Sequence, residues 1–194
     1  MYQNLIFLKF WFLNAFTVNK LMGNHFCKTK PLWGDTATWK TVNRNFGDLI
    51  RLHRPKMDRA VALARDVQIR LESIFSLLDD LCVVTCPWCP DHCCLTAKVW
   101  MDFKDLLFLH LNGHQIPPAQ LLSNLKETCG YWSPNGCMLP RIVRPWVCTW
   151  YLCPTQKANL RQKPKSAQDN FNRVLQAIKA GRKEMESEFI RIVS

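Results

Sequence analysis

Apolar residues recur along much of this chain in three- and four-residue steps, the spacing that gathers them on one face of an α-helix. Met57, Ala60, Val61, Ala64, Val67, Leu71, Ile74, Phe75, Leu78 and Leu81 follow it, while Asp58, Arg59, Asp66, Arg70 and Glu72 fill the other face. The pattern predicts one amphipathic helix over 57–81, about seven turns long. It leads directly to Cys82 and Cys86, and Pro87 and Pro90 forbid its continuation. A shorter pattern predicts a helix over 37–52 with Trp39, Val42, Phe46, Leu49 and Ile50 on one side, weakened by Gly47. Asp102 can cap a helix starting at Phe103, and Asn112-Gly113 can stop it. Phe171, Val174, Leu175, Ile178, Met185, Phe189 and Ile192 draw a final stripe over 166–192, with Gly181 as a weak point. An exposed stripe of that length invites aggregation, so it is expected to pack on the core.

The remaining segments lack periodicity. Residues 155–165 are polar and basic and read as a linker; residues 129–154 are rich in proline and aromatics, with little strand expected. The expected fold is mostly α: a small helical domain around an irregular cysteine-rich, metal-binding segment. Three regions follow: a basic N-terminal region over 1–56, a cysteine-cluster domain over 57–154, and a linker with a C-terminal amphipathic helix over 155–194.

Charge sharpens that division. Residues 1–56 hold nine Lys/Arg against two acids, 57–156 eight against nine, and 157–194 nine against four. Basic flanks therefore enclose a nearly neutral middle. They can offset thiolate charge or meet a protein partner, as can the C-terminal helix. No basic run exceeds two residues and none alternates with aromatics, which argues against nucleic acid.

The apolar stretch over 5–18, interrupted by Lys9 and Asn14, is too short for an ordinary spanning helix. It lacks a preceding basic segment and a cleavage pattern. An interfacial segment, a weak signal-like sequence, or a start at Met22 that leaves 1–21 outside the natural fold all fit, and the last is favoured. No other segment resembles a span.

Nine of the ten cysteines lie between positions 82 and 153. The first cluster comprises Cys82, Cys86, Cys89, Cys93 and Cys94; the second comprises Cys129, Cys137, Cys148 and Cys153. A paired-cysteine knuckle followed by a distant second cluster is how one chain wraps a thiophilic metal. The competing reading is a disulfide scaffold, typical of shorter secreted chains. Adjacent Cys93-Cys94 and the tight Cys86-Pro-Trp-Cys89 turn suit ligation better than long bridges, and reduced thiolates point to the cytoplasm. Both zinc and an iron–sulfur cluster suit such a donor set. His92 is a reserve ligand, with His110 and His114 outside the first shell.

The run Cys86-x2-Cys89-x3-Cys93-Cys94, then Cys129-x7-Cys137, then Arg144-Pro145-Trp146-Val147-Cys148 resembles the YkgJ-type cysteine-cluster family, a zinc- or iron-chelating domain with a CxxCxxCC hallmark. The match covers about residues 82–153. Three residues, Pro-Asp-His, stand where the hallmark has two, and Cys82 and Cys153 are additions to it. The resemblance implies a metal centre held by Cys86, Cys89, Cys93, Cys94, Cys129, Cys137 and Cys148. Similar domains occur in flagellin lysine N-methylases, which implies a cluster-dependent methyl-transfer or redox enzyme as the alternative.

Other chemistry finds little support. The chain has no Ser/His/Asp signature, phosphate-cradling glycine loop or His-Glu-x-x-His motif. Cys82-x3-Cys86-x2-Cys89 has the spacing of radical S-adenosylmethionine enzymes, without their βα alternation. Trp146 and Trp150 would share a face if they lie on a helical turn, shielding a metal bound through Cys148.

Overall fold

The computed structural model describes residues 34–194. Among them are eight α-helices and one two-residue-long pair of strands, so the protein is mostly α-helical. The stretch over 5–18 and the alternative start at Met22 lie outside the described residues.

The first helix, α1 (Thr36–His53), begins where the Asp35 carboxylate accepts the Thr38 N–H at 2.9 Å. It buries Trp39, Val42, Phe46, Leu49 and Ile50, the set its periodicity predicts. Phe46 is fully buried and stacks against Phe189 at 5.5 Å, with Phe103 edge-on at 5.3 Å. The helix drawn from the basic N-terminal region thus shares a core with both later helical segments.

The long helix expected over 57–81 is two helices, α2 (Asp58–Glu72) and α3 (Phe75–Thr85). Neither proline nor glycine marks the break. The Ser73 hydroxyl donates to the Arg70 carbonyl at 2.7 Å, and the Ile74 N–H bonds back to Leu71 rather than one residue further. Such local side-chain bonding competes with the helical ladder. Ile74, Leu78 and Leu81 still face the core, so α3 runs past the expected end and carries Cys82 on its last turn.

After a 3₁₀ turn over Cys86–Trp88 and the short α4 (Cys93–Thr96) comes α5 (Phe103–Asn112). Its start is a reciprocal capping box between Asp102 and Asp105, and its end is Gly113 in the left-handed region at φ +70°. Strands β1 (Trp132–Ser133) and β2 (Gly136–Cys137) pair Trp132 with Cys137. Gly136 takes φ +107° there, a conformation costly for any residue with a Cβ.

Residues 155–165 correct the sequence reading. Most of that stretch belongs to a helix, α7 (Pro154–Arg161), which follows the five-residue α6 (Trp146–Trp150). Only two of its residues, Gln156 and Leu160, are buried, so it shows almost no apolar stripe. Its signals are proline at the first position and a cap built by Cys153 and Gln156.

The last helix, α8 (Lys165–Val193), lays Phe171, Ile178, Met185 and Phe189 into the core, chiefly along α2. Gly181 is the closest approach: a Cβ there would stand 3.0 Å from a Val67 methyl. The residue that weakens the helix in isolation lets two helices pack closely. Arg182, next to it, is buried and donates to Asp105 at 2.8 Å and Asp102 at 3.2 Å. Among the described residues, no helix is long and apolar enough to cross a membrane.

Candidate metal centre

Three parts of the fold supply the nine clustered cysteines. Helix α3 and the turn after it supply Cys82, Cys86 and Cys89. Helix α4 supplies Cys93 and Cys94. The segment from Cys129 to the start of α7 supplies Cys129, Cys137, Cys148 and Cys153. None of the nine is in a disulfide.

The two sequence clusters are stitched by backbone. The Cys129 N–H donates to the Cys94 carbonyl at 3.1 Å, and the Cys129 carbonyl accepts the Trp132 N–H at 3.1 Å. That places β1 and β2, and with them Cys137, beside α4. Helix α6 is set by the Arg182–Asp105 pair, since Asp105 also accepts the Trp146 N–H at 3.0 Å. The Arg182 guanidinium lies over the Trp146 ring at 5.8 Å. Trp146 and Trp150 do lie on one helical segment, and Cys148 between them reaches solvent. In the first cluster, the Cys89 N–H closes the 3₁₀ turn on Cys86 at 3.2 Å. His92 packs edge-on to Trp132 at 6.0 Å.

The sulfurs feel one another. The Cys82 thiol is pulled down to about 5, first by its hydrogen bond with Cys86, then by Arg141 and the charge of Arg144, against burial. Cys86, as donor in that pair and also buried, is raised. Cys93 is pulled down to about 6, first by its hydrogen bond with Cys94. Cys94 is raised by that same bond, by burial, and by the Cys93, Cys129 and Cys137 charges. Burial raises Cys129 and Cys148, and Cys137 and Cys93 add to both. Cys148 still reaches solvent, so the crowding is around its sulfur rather than complete enclosure. Each close pair thus has one thiolate-leaning sulfur and one that keeps its proton, the arrangement expected of thiols packed together without a cation.

Two contacting residues carry no sequence motif that singles them out. Gln156, on α7, donates through Nε2 to Cys82 Sγ at 3.5 Å and Cys86 Sγ at 3.8 Å; its own N–H donates to Cys153 Sγ at 3.4 Å. Arg141 donates to Cys82 Sγ at 3.7 Å and is held by Asp79, with Nε to Oδ1 at 2.7 Å. Asp79, on α3, therefore orients a group that touches sulfur.

His110 and His114 are occupied elsewhere, with Asn43 and Gln68 at 3.1 Å each. Among the described residues, no three Cys, His, Asp or Glu side chains already enclose a position for a metal ion. The donor chemistry nonetheless suits a thiophilic metal: sulfurs dominate, and the indole N–H of Trp132, opposite Cys137, is buried without an acceptor among the described residues. A donor so placed is what a sulfur-rich centre uses in its outer shell. Compared with known proteins, the chain matches no family model, no curated protein and no solved structure at significant similarity.

Proposed function

We propose that this protein binds a thiophilic metal, as zinc or an iron–sulfur cluster, through cysteine thiolates in a reducing, cytoplasmic setting. The observation that carries this reading is the convergence of sulfurs from separate segments. The Cys129 N–H donates to the Cys94 carbonyl at 3.1 Å, and Gln156 reaches Cys82 and Cys86 Sγ through Nε2 at 3.5 and 3.8 Å and Cys153 Sγ through its own N–H at 3.4 Å. Cys86, Cys89, Cys93, Cys94, Cys129, Cys137 and Cys148 are the core ligand candidates, joined by Cys82 and Cys153. Such a metal would supply a cross-link between residues 82–94 and 129–153. The chain's own residues hold the sulfurs: Asp105 fixes the start of α6, the Cys94–Cys129 bond joins the clusters, and Arg141 and Gln156 donate to Cys82. Metal binding then displaces the protons of the raised thiols, so acid weakens it.

A redox reading is favoured by one observation: Gln156 Nε2 lies 3.5 Å from Cys82 Sγ and 3.8 Å from Cys86 Sγ, so the two sulfurs stand side by side at the end of α3. In it the chain would be a dithiol redox enzyme; a cluster-dependent enzyme, redox or lysine N-methylase-like, is the alternative that keeps the metal. The basic flanks are the surface for a protein partner, because the apolar stripe of α8 is spent on the core.

Anaerobic purification followed by metal and sulfide analysis and visible absorption tests the proposal. Iron with sulfide and a brown colour selects the cluster, and colourless protein with stoichiometric zinc selects zinc. Metal-free protein with all nine thiols free under those conditions overturns both and leaves the redox reading.

A further inference from the structure

We propose that Gln156 and Arg141 are positioning residues for the Cys82–Cys86 sulfur pair, setting how tightly those sulfurs hold a soft metal; this rests on the metal-binding reading above. The two side chains come from different elements, Gln156 from α7 and Arg141 from the 3₁₀ turn before α6. Gln156 is buried on α7 and reaches both sulfurs with one amide nitrogen, at 3.5 and 3.8 Å. Its carbonyl oxygen meanwhile accepts the Cys153 N–H at 3.4 Å. That fixes the amide's orientation: oxygen toward backbone, nitrogen toward sulfur. Arg141 is mostly buried, with 11% of its side chain exposed. Asp79 holds two of its nitrogens, and the guanidinium meets Cys82 at 3.7 Å and Phe75 at 5.9 Å.

Chemistry makes these contacts consequential. A thiolate that accepts N–H bonds gives up part of its negative charge, and its lone pairs are directed away from the donors. Three N–H···S contacts, two on Cys82 and one on Cys86, therefore restrict which lone pairs of the pair are available to a metal. Outer-shell partners of this kind typically change metal affinity by about 10–100-fold when removed. Gln156 has a further role because it belongs to the cap of α7. It couples the start of that helix, including Cys153, to sulfurs seventy and seventy-four positions before Gln156 in the chain. The charge environment is consistent: Arg141 supplies a fixed positive charge that favours binding through anionic sulfur.

The test is cobalt(II) binding to the reduced, metal-free full chain, followed by thiolate-to-cobalt charge-transfer absorption and competition with a chromophoric chelator. Gln156→Leu removes the donor. Gln156→Glu puts a carboxylate beside two sulfurs. Arg141→Leu removes the second donor. Both leucine variants should bind cobalt about 10–100-fold more weakly than the wild type, with a shifted charge-transfer band, and Gln156→Glu should be weaker than Gln156→Leu. Circular dichroism and melting of the metal-free variants identify any that fail to fold, and Arg141→Lys, which retains the charge, should recover part of the affinity. If the wild type binds cobalt and folded variants bind it equally with the same band, the positioning role is overturned while the metal reading stands. Absence of any charge-transfer band in the wild type overturns both.

Discussion

The helices α1, α2, α5 and α8 and the cysteine-bearing segments from α3 onward are held by different forces. Around Phe46, order comes from apolar area: Trp39, Phe46, Met57, Leu107, Met101, Phe171, Ile178 and Phe189 are all 2% exposed or less. Around the sulfurs the elements are two to eleven residues long, and Val83, Val84, Trp88 and Met138 stand open to solvent. There, position depends on individual bonds, such as Cys129 to Cys94 and Gln156 to Cys82. A frame built on area is insensitive to the loss of a single polar contact; a site built on single contacts is not.

Cutting into the frame should give the largest loss. Phe46→Ala removes a ring packed against two others, and about 3–5 kcal/mol of stability should go with it, read by chemical denaturation. The circular-dichroism transition should stay cooperative, since the frame unfolds as a unit.

Arg182 tests the junction between the regions, because it sits in the frame yet supports the start of α6. Arg182→Met leaves the buried Asp105 carboxylate, and the partly exposed Asp102 beside it, without their cation, and breaking such a buried pair costs about 3–5 kcal/mol. Burial and the neighbouring Asp102 push Asp105 up to about 6, which makes the loss smaller at pH 5 than at pH 8. Hydrogen exchange should accelerate at residues 146–150 more than in α1, and uniform acceleration would mean the junction transmits nothing specific.

A smaller effect isolates the frame's response to acid. Burial holds His110 down to about 4, whereas an unfolded chain's histidine titrates near 6.5. Between those values the unfolded chain binds more protons, so stability is intact above about 6.5 and is lost as pH falls toward 4. Partial exposure limits the loss to on the order of 2 kcal/mol. His110→Gln should flatten that slope, checked by denaturation at pH 4.5, 5.5 and 7.5.

Trp88→Ala should be the mildest. The indole is 83% exposed, so stability should shift by less than about 0.5 kcal/mol. A larger change would mean that the open surface near the sulfurs is packed in solution.

These forces also explain what could be read in the sequence. Burial on a helix leaves a period: α1 was legible down to its five buried positions, α5 in Asp102 as cap and Gly113 as stop, and α8 at Phe171, Ile178, Met185 and Phe189. Val174, Leu175 and Ile192, by contrast, are only partly buried, and the buried Arg182 and Glu188 leave no apolar signal. Gly181 was visible only as a flaw, because its value depends on Val67, more than a hundred residues away. The break at Ser73 hides inside an unbroken apolar pattern. Helix α7 escaped notice because it buries only Gln156 and Leu160, and a polar helix resembles a linker by composition. The cysteines were conspicuous as residue types, but their partners were not. Nothing local marks Gln156 or Arg141, since each gains its meaning from a sulfur at least fifty-nine positions away.

Helix α3 fixes an angular phase between the two regions. Leu78 and Leu81 are anchored in the core, Cys82 follows on the same helix, and Cys86 caps its C-terminal end. Each residue along it turns the next by about 100° and advances it about 1.5 Å. Inserting a single alanine between Leu81 and Cys82 would leave every residue type in place, yet swing both sulfurs about 100° away from Gln156 and Arg141. A deletion would swing them equally far the other way. The length of this rod is therefore as strict a requirement as the cysteines themselves, and a relative of this protein should tolerate changed residues on α3 far more readily than a changed number of them.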